Sequence, residues 1–450
     1  MVIRLFSIAR NAFVESLRQP IYLFILIACG IMQVLNTWVT GFSMQDRLSA
    51  GLTGDDRLLL DIGLATIFGC GTLLAGFVAT ATISREIENK TILTVVSKPI
   101  GRTTVIVGKY LGVTLAIALA VATMLIFLLL AVRHGVLSTA ADKIDGPVVT
   151  FSILALFVAV FIGVWTNFFY GWSFPQTVSV ALFPAFFVAY LLVLSLSKRW
   201  TWQELGHDFR PQIALACGVL SLALLVLTSI AVAASTRLGQ VMTIMLCAGI
   251  FVFGLLSNHL LGQRAFENRA VASIRTAVAE DPTDPSFTKP GQIYTITLDG
   301  PPEEEFRPGD SFYYGSSANG FRLAVAAFPP FEGDPRAEGL LRDGIEPRII
   351  VTDVDGERLT IRHIGATPLR VTRPPETGDI IFKTPTQRNV PRIVAWALVP
   401  NMNAYWLMDA IAQNRKIPPR HVGLVALYSL CLIVASLSLA VALFQGRDVG

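Results

Sequence analysis

The sequence predicts an all-α polytopic membrane protein of about eight transmembrane helices, with an N-terminal interfacial helix and an inserted small all-β extracytoplasmic domain. Three observations carry this. Of 450 residues, 53% are hydrophobic and only 15% charged, with a mean hydropathy of +0.58, more apolar than a water-exposed surface allows. Apolar runs of membrane-crossing length recur along most of the chain. Between Arg264 and Arg420 the pattern breaks, and Pro, Gly and charged residues become frequent.

Crossing about 30 Å of hydrocarbon takes about 20 apolar residues in a helix. Eight runs qualify: Ile21–Phe42, Leu58–Ile83, Val105–Val132, Val148–Phe169, Thr177–Ser197, Ile213–Ala234, Val241–Leu261 and Val422–Phe444. Pro184 is expected to kink the fifth, where neighbouring helices satisfy the freed carbonyl.

Ahead of the first run, Arg4, Ser7, Asn11, Glu15 and Arg18 recur at steps of three and four residues, opposite Val2, Phe6, Ala9, Phe13 and Leu17. That pattern is an amphipathic helix at the membrane interface over residues 1–20. A secretory leader is the alternative, but the apolar run after Pro20 continues too far and lacks a small-residue cleavage site. Residues 21–263 then hold seven spans, with a short helix over 84–99, and residues 421–446 hold the eighth. An even number of spans places both termini on one side, and Arg4, Arg10 and Arg18 favour the cytoplasm for it. Over all short loops the basic bias is slight, with Arg4, Arg10, Arg18, Arg85, Lys90, Lys98, Arg102, Arg237 and Arg447 inside against Arg47, Arg57, Arg133, Lys143, Lys198, Arg199 and Arg210 outside. The expected location is the cytoplasmic (inner) membrane.

Residues 264–400 read as the extracytoplasmic β domain, and 401–420 as a pre-membrane segment. Strands are expected over Gln292–Leu298, Phe321–Ala327, Arg348–Asp353, Arg358–Ile364, Pro368–Thr372, Asp379–Lys383 and Arg392–Val399. Two β-rich runs flank Val354, Asp355, Gly356 and Glu357, a hairpin signal because Gly accepts positive φ cheaply. A sandwich or partial barrel follows.

The chemistry concentrates between the second and third spans, from Ser84 to Lys109. Arg85, Glu86, Glu88, Lys90, Lys98, Arg102 and Lys109 would each cost about 2.5 to 3.5 kcal/mol at mid-bilayer, so this stretch must reach water or protein. Its first half reads as a short helix in which Glu86 pairs with Lys90 one turn on, and Pro99 stops it. Held between two rigid spans, such a helix transmits a push from a soluble partner; a transporter loop with a few charges is the plainer alternative.

Glu86, Glu88, Thr91, Leu93, Pro99, Arg102, Gly108 and Lys109 together resemble the signature of ABC-2 permeases. In that family the segment is similar to a coupling helix that docks on an ATPase subunit. The resemblance implies that Glu86 and Glu88 are docking or gate contacts, that Pro99 sets the turn, and that Arg102 and Lys109 anchor span three. Ser97, Lys98 and Pro99 are similar to the branch that includes permeases of multicopper-enzyme maturation, nitrous oxide reductase assembly and gliding motility. Resemblance extends to the turn Ala234–Gly239 and to Val399–Asn403. The helices around Asn167–Arg210 and the β insert depart from the six-span family pattern.

Other signals favour structural readings. No GxxxxGK[ST] phosphate loop occurs, so ATP and Mg would be used by a separate ATPase, and no cofactor is expected on this chain. Cys29, Cys70, Cys217, Cys247 and Cys431 lie in apolar stretches without CxxC spacing, and the histidines form no ligand set. Gly69, Gly71 and Gly76 with Thr66, Thr72 and Thr80 suit helix packing better than a pathway. The aromatics from Trp165 to Phe174 suit an interfacial belt, with a second ATPase contact as the alternative. Asp61, Asn258 and His259 near span ends suit snorkelling or capping, and solvation suits Glu303, Glu304 and Glu305 and the acidic residues of the hairpin better than calcium. Basic residues form no aromatic-lined face for nucleic acid. The expected function is the permease subunit of an ATP-driven exporter or extractor, paired with a second permease copy or sister permease, with membrane lipid around it and an extracytoplasmic partner for the β domain. A membrane-anchored scaffold and an ion-coupled carrier are the rivals.

Overall fold

The computed structural model describes residues 2–40, 54–84, 86, 101–137, 144–207, 209, 211–316, 323–335, 337, 339–341, 344–407 and 417–445. It divides into two compact units, Met1–Leu255 with Pro400–Gly450, and Leu256–Val399.

The first unit is helical. A surface helix α1 (Val2–Leu17) is followed by α2 (Pro20–Val39), α3 (Gly54–Thr82), α4 (Arg102–His134), α5 (Gly146–Tyr170), α6 (Phe174–Ser195), α7 (Pro211–Ser235) and α8 (Gln240–Ser257). After α8 the helix widens at Asn258–Gly262 and closes with Gln263–Ala265, so one apolar span runs Gln240–Ala265. The last helix of this unit, Pro419–Gln445, is named α10 below. Among the described residues eight helices are thus long and apolar enough to cross a membrane, and they correspond to the eight apolar runs of the sequence. The fifth continues through Pro184 as one helix.

Proline at the first turn starts α2, α5 and α6, where its missing N–H has no partner to lose. Gly171 takes φ 66° at the end of α5, the left-handed cap that lets the chain reverse into α6. α4 and α7 are central: Val113, Ile117, Met124 and Leu128 of α4 and Leu220, Leu224 and Leu227 of α7 are buried in one core with Leu26, Ile67 and Phe68. By contrast Ile153, Phe157, Phe161 and Trp165 of α5 face outward, the composition a lipid-facing surface requires.

At the far end of α4, Arg133 pairs with fully buried Asp145 at 2.7 Å and donates to the Leu196 carbonyl at 3.2 Å. Asp145 also accepts from the Val148 N–H, capping α5. This buried charge pair joins the ends of three helices. By sequence position alone Arg133 is only a loop charge.

The second unit is a small all-β region. Strands β1 (Phe266–Glu267) and β8 (Gln387–Arg388) pair as a short ribbon. The main sheet holds β2 (Ala270–Ala279), β3 (Ile293–Leu298), β4 (Tyr313–Gly315), β5 (Arg348–Asp355), β6 (Arg358–Ile364) and β7 (Ile380–Phe382), all antiparallel in the order β4-β7-β2-β3-β6-β5. Its two edges meet: Ser311 bridges Ile350, Phe312 N–H donates to the Ile349 carbonyl at 3.1 Å, and Val351 N–H to the Asp310 carbonyl at 2.9 Å. The sheet is therefore a closed barrel, which removes exposed edges. Ile274, Ile296, Tyr313, Ile349, Ile361 and Phe382 fill it.

Strands expected over Gln292–Leu298, Arg348–Asp353, Arg358–Ile364 and Asp379–Lys383 coincide with β3, β5, β6 and β7. The turn between β5 and β6 has Gly356 at φ 59°. Two expectations need correction. Arg392–Val399 is not a strand but lies in a helix, α9 (Val390–Leu398), because the Asn389 side chain accepts from the Arg392 N–H and Pro391 sits in the first turn. The described part of Phe321–Ala327 and the run Pro368–Thr372 form only an isolated bridge, Val325 with Val371. β2 and β4 were not expected.

Candidate functional site

The end of the helical unit that carries Glu86 is built from α1, α3, α4, α7 and α10. Along α4, Gly108, Gly112 and Ala116 fall four residues apart on one stripe. α1 lies in that stripe: a Cβ on Gly112 would stand 2.2 Å from the Ala9 carbonyl oxygen, and one on Gly108 would stand 2.9 Å from Ile8 Cγ2. One turn on, Tyr22 of α2 donates to the Ala116 carbonyl at 2.7 Å. The amphipathic N-terminal helix therefore buries Ala9, Ala12, Ser16 and Leu17, while Ile3 and Phe6 stay exposed. Small residues here admit a backbone-to-backbone approach, as in membrane helix pairs. Gly112 was missed in the sequence, although Gly108 and Gly112 spell the small-xxx-small spacing that marks such contacts.

On the next face of α4, Lys109 is buried, and its ammonium lies 2.6 Å from Glu86 Oε1 and donates to the Thr82 carbonyl at 2.5 Å. Thr82 is the last residue of α3, so this cation neutralises the carbonyl end of that helix while holding the acid beyond it. The local pair expected from sequence, Glu86 with Lys90, involves a residue outside the described ones. The observed partner comes from the next helix.

Arg102, the first residue of α4, reaches α10. Its guanidinium donates to the Gln445 carbonyl at 2.7 Å and lies 5.9 Å from the centre of the Phe444 ring. Arg237, in the turn after α7, donates from Nε to the Leu443 carbonyl at 3.0 Å. Two cations thus cap the C-terminus of α10, where the helix dipole favours them. Beneath, fully buried Phe444 packs with Ala79, Ile83, Ile106, Val232 and Cys247.

Of the residues singled out in the sequence, Glu86, Arg102 and Lys109 therefore gather at one end: Lys109 is tied to the end of α3 and holds Glu86, and Arg102 is tied to the end of α10. Glu88, Thr91, Leu93 and Pro99 lie outside the described residues. What remains between the latches at Glu86 and Arg102 is a chain segment whose two ends are fastened to α3, α4 and α10.

Residues 6–173 match the family model of ABC-2 family transporter proteins. The match spans α1 to α5, including the glycine stripe, the Glu86–Lys109 pair and the whole segment between them, and covers less than half of the chain. Its helices and this match point to a multi-pass membrane protein whose residues 6–173 are similar to ABC-2 family transporter proteins. Comparison with curated proteins and with solved structures found no match.

Within and beyond the matched residues, most other residues weighed in the sequence have structural partners. Thr66, Thr72 and Thr80 return their hydroxyl protons to Ile62, Phe68 and Gly76 carbonyls of their own helix, at 2.8 Å each. Gly71 meets Leu224 of α7 and Gly76 meets Ile244 of α8, so both serve close packing, while Gly69 has open space beside it. Asp61 stands 3.8 Å from Arg57. Phe168, Tyr170 and Trp172 are exposed around the α5–α6 turn. In the motif Val399–Asn403, Asn403 donates to the Leu255 carbonyl at 2.7 Å, seating the chain on α8 at the opposite end of the bundle. Glu304 pairs with Arg269 at 3.0 Å.

Proposed function

We propose that this chain is the membrane-spanning permease of an ATP-driven transporter, working with a separate ATPase that binds ATP and Mg. The observation that carries this reading is the double latch around residues 87–101. Lys109 fastens one end to α3 and α4, and Arg102 fastens the other to α10. A force applied to that segment from outside therefore loads three spans together, which is what coupling to a nucleotide motor needs. The family match over residues 6–173 supports the same reading. In it, Glu88, Thr91 and Leu93 face the ATPase, Pro99 turns the chain, and the end of the bundle bearing them lies in the cytoplasm of an inner-membrane protein, as do both termini.

Eight crossings then put the barrel, inserted between α8 and α10, on the outer side, where it meets substrate or an extracytoplasmic partner. A second permease, identical or related, completes a two-fold unit, the commonest symmetry of oligomers. Export or extraction is the direction suggested by resemblance, and the sequence Ser97, Lys98, Pro99 supports the maturation and gliding branch.

The test is a co-expressed, co-purified permease and ATPase in lipid nanodiscs. Glu88→Ala combined with Leu93→Ala is expected to uncouple ATP hydrolysis from the permease. Unchanged hydrolysis in an intact complex would favour a scaffold, and transport driven by an ion gradient without nucleotide would favour a carrier.

A further inference from the structure

α9 has no buried residue, although eight of its nine residues are apolar or proline. Val390, Val394 and Leu398 recur every four residues along one side and are 64%, 53% and 74% exposed. The other side is fastened. Asn389 N–H donates to the Ala265 carbonyl at 3.0 Å, Arg392 donates to the Arg264 carbonyl at 3.0 Å and pairs with Glu267, and Trp396 meets the Phe266 ring edge-on at 6.5 Å between centroids. Ala265 is the last residue of the apolar helix Gln240–Ala265, which is long enough to cross a membrane. α9 is therefore fastened to the end of a helix long and apolar enough to cross a membrane.

We propose that α9 is an interfacial helix whose Val390, Val394 and Leu398 stripe enters the boundary between lipid headgroups and acyl chains. Three observations favour lipid over a protein partner. First, the stripe is three side chains on a nine-residue helix, far short of the about 800 Å² per partner that a stable protein interface buries, whereas a bilayer surface accepts a single helix face. Second, the hydrogen bond to the Ala265 carbonyl ties α9 to the end of a helix long and apolar enough to cross a membrane, where a bilayer surface is expected. Third, Arg264 and Arg388 are exposed beside it, where lipid phosphates lie.

The test uses the full chain in phosphatidylcholine nanodiscs with Cys431→Ser as background, and a nitroxide attached in turn at Val394→Cys, Leu398→Cys and, as an aqueous reference, Glu357→Cys in the exposed β5–β6 turn. All three positions are exposed, so labelling leaves the fold intact. Collision rates with oxygen, which concentrates in lipid, and with a water-soluble nickel chelate are compared, subtracting the unsubstituted background. The proposal expects an oxygen-to-nickel ratio several-fold higher at 394 and 398 than at 357. A ratio equal to that at 357 would overturn it in favour of a solvated helix. Low rates for both reagents would overturn it in favour of a covering protein.

Discussion

Lys109 and Glu86 stand 2.6 Å apart, with side chains 6% and 19% exposed. Removing one partner of a buried ion pair costs about 3 to 5 kcal/mol, mostly because the other is left charged and unpaired. The two removals should not cost the same. After Glu86→Ala the ammonium of Lys109 keeps the Thr82 carbonyl but starts from a side chain only 6% exposed, which puts this variant near the upper figure, about 5 kcal/mol. After Lys109→Met the carboxylate of Glu86, three times as exposed, turns toward solvent, which puts this one near about 3 kcal/mol. The double variant removes both charges, and its cost should fall below the sum of the singles by about 2 kcal/mol or more, the coupling expected of contacting residues. Equilibrium unfolding of the purified chain in mixed micelles at fixed lipid content reads all three. Additive costs, or singles that each shift stability by less than about 0.5 kcal/mol, would show that the pair is a solvated surface contact.

Two further predictions concern other parts of the chain. Gly112→Leu cannot fit beside the Ala9 carbonyl oxygen, so α1 should leave its seat: a cysteine at Ala12, 1% exposed in the parent, should become reactive to a water-soluble maleimide, and protection retained would refute the contact. In the barrel, burial pushes His363 down to about 4, its Nε2 accepting from the Leu369 N–H. Because the unfolded chain binds that proton more readily, barrel stability should be complete above the ordinary histidine value of about 6.5 and fall as pH drops toward about 4, by about 3 kcal/mol. Hydrogen exchange of β6 amides against pH reads this loss, and His363→Gln should flatten the profile.

Hydropathy made the eight spans legible because a membrane helix must be apolar almost throughout, a signal that local detail cannot mask. The β5–β6 hairpin was legible for a similar reason, since alternation and one glycine suffice to specify it. β2 was not. It is rich in alanine, which favours helix, and becomes a strand only because it pairs with β7 over its first half and β3 over its second, with register shifts in both ladders. α9 misled in the opposite direction: Ile393, Val394 and Trp396 suggest a strand, while the decisive signals were Asn389 and Pro391 just before them. At the candidate site, the sequence named Glu86, Arg102 and Lys109 but not their partners. Glu86 has a basic residue one turn away in sequence, yet its observed partner lies 23 positions on, a choice set by how α3 and α4 pack. Arg237, Gly112 and the Arg133–Asp145 pair matter through contacts that only the packed helices create.

The central claim is that an ATPase grips the segment between Glu86 and Arg102 from the cytosolic face. A photoreactive amino acid at Thr91, in cells expressing the chain with its ATPase, tests this most directly. The expected result is a cross-link to the ATPase whose yield changes when ATP hydrolysis is trapped. Reaction of a cysteine at the same position with a membrane-impermeant reagent added only from outside the cell would contradict it.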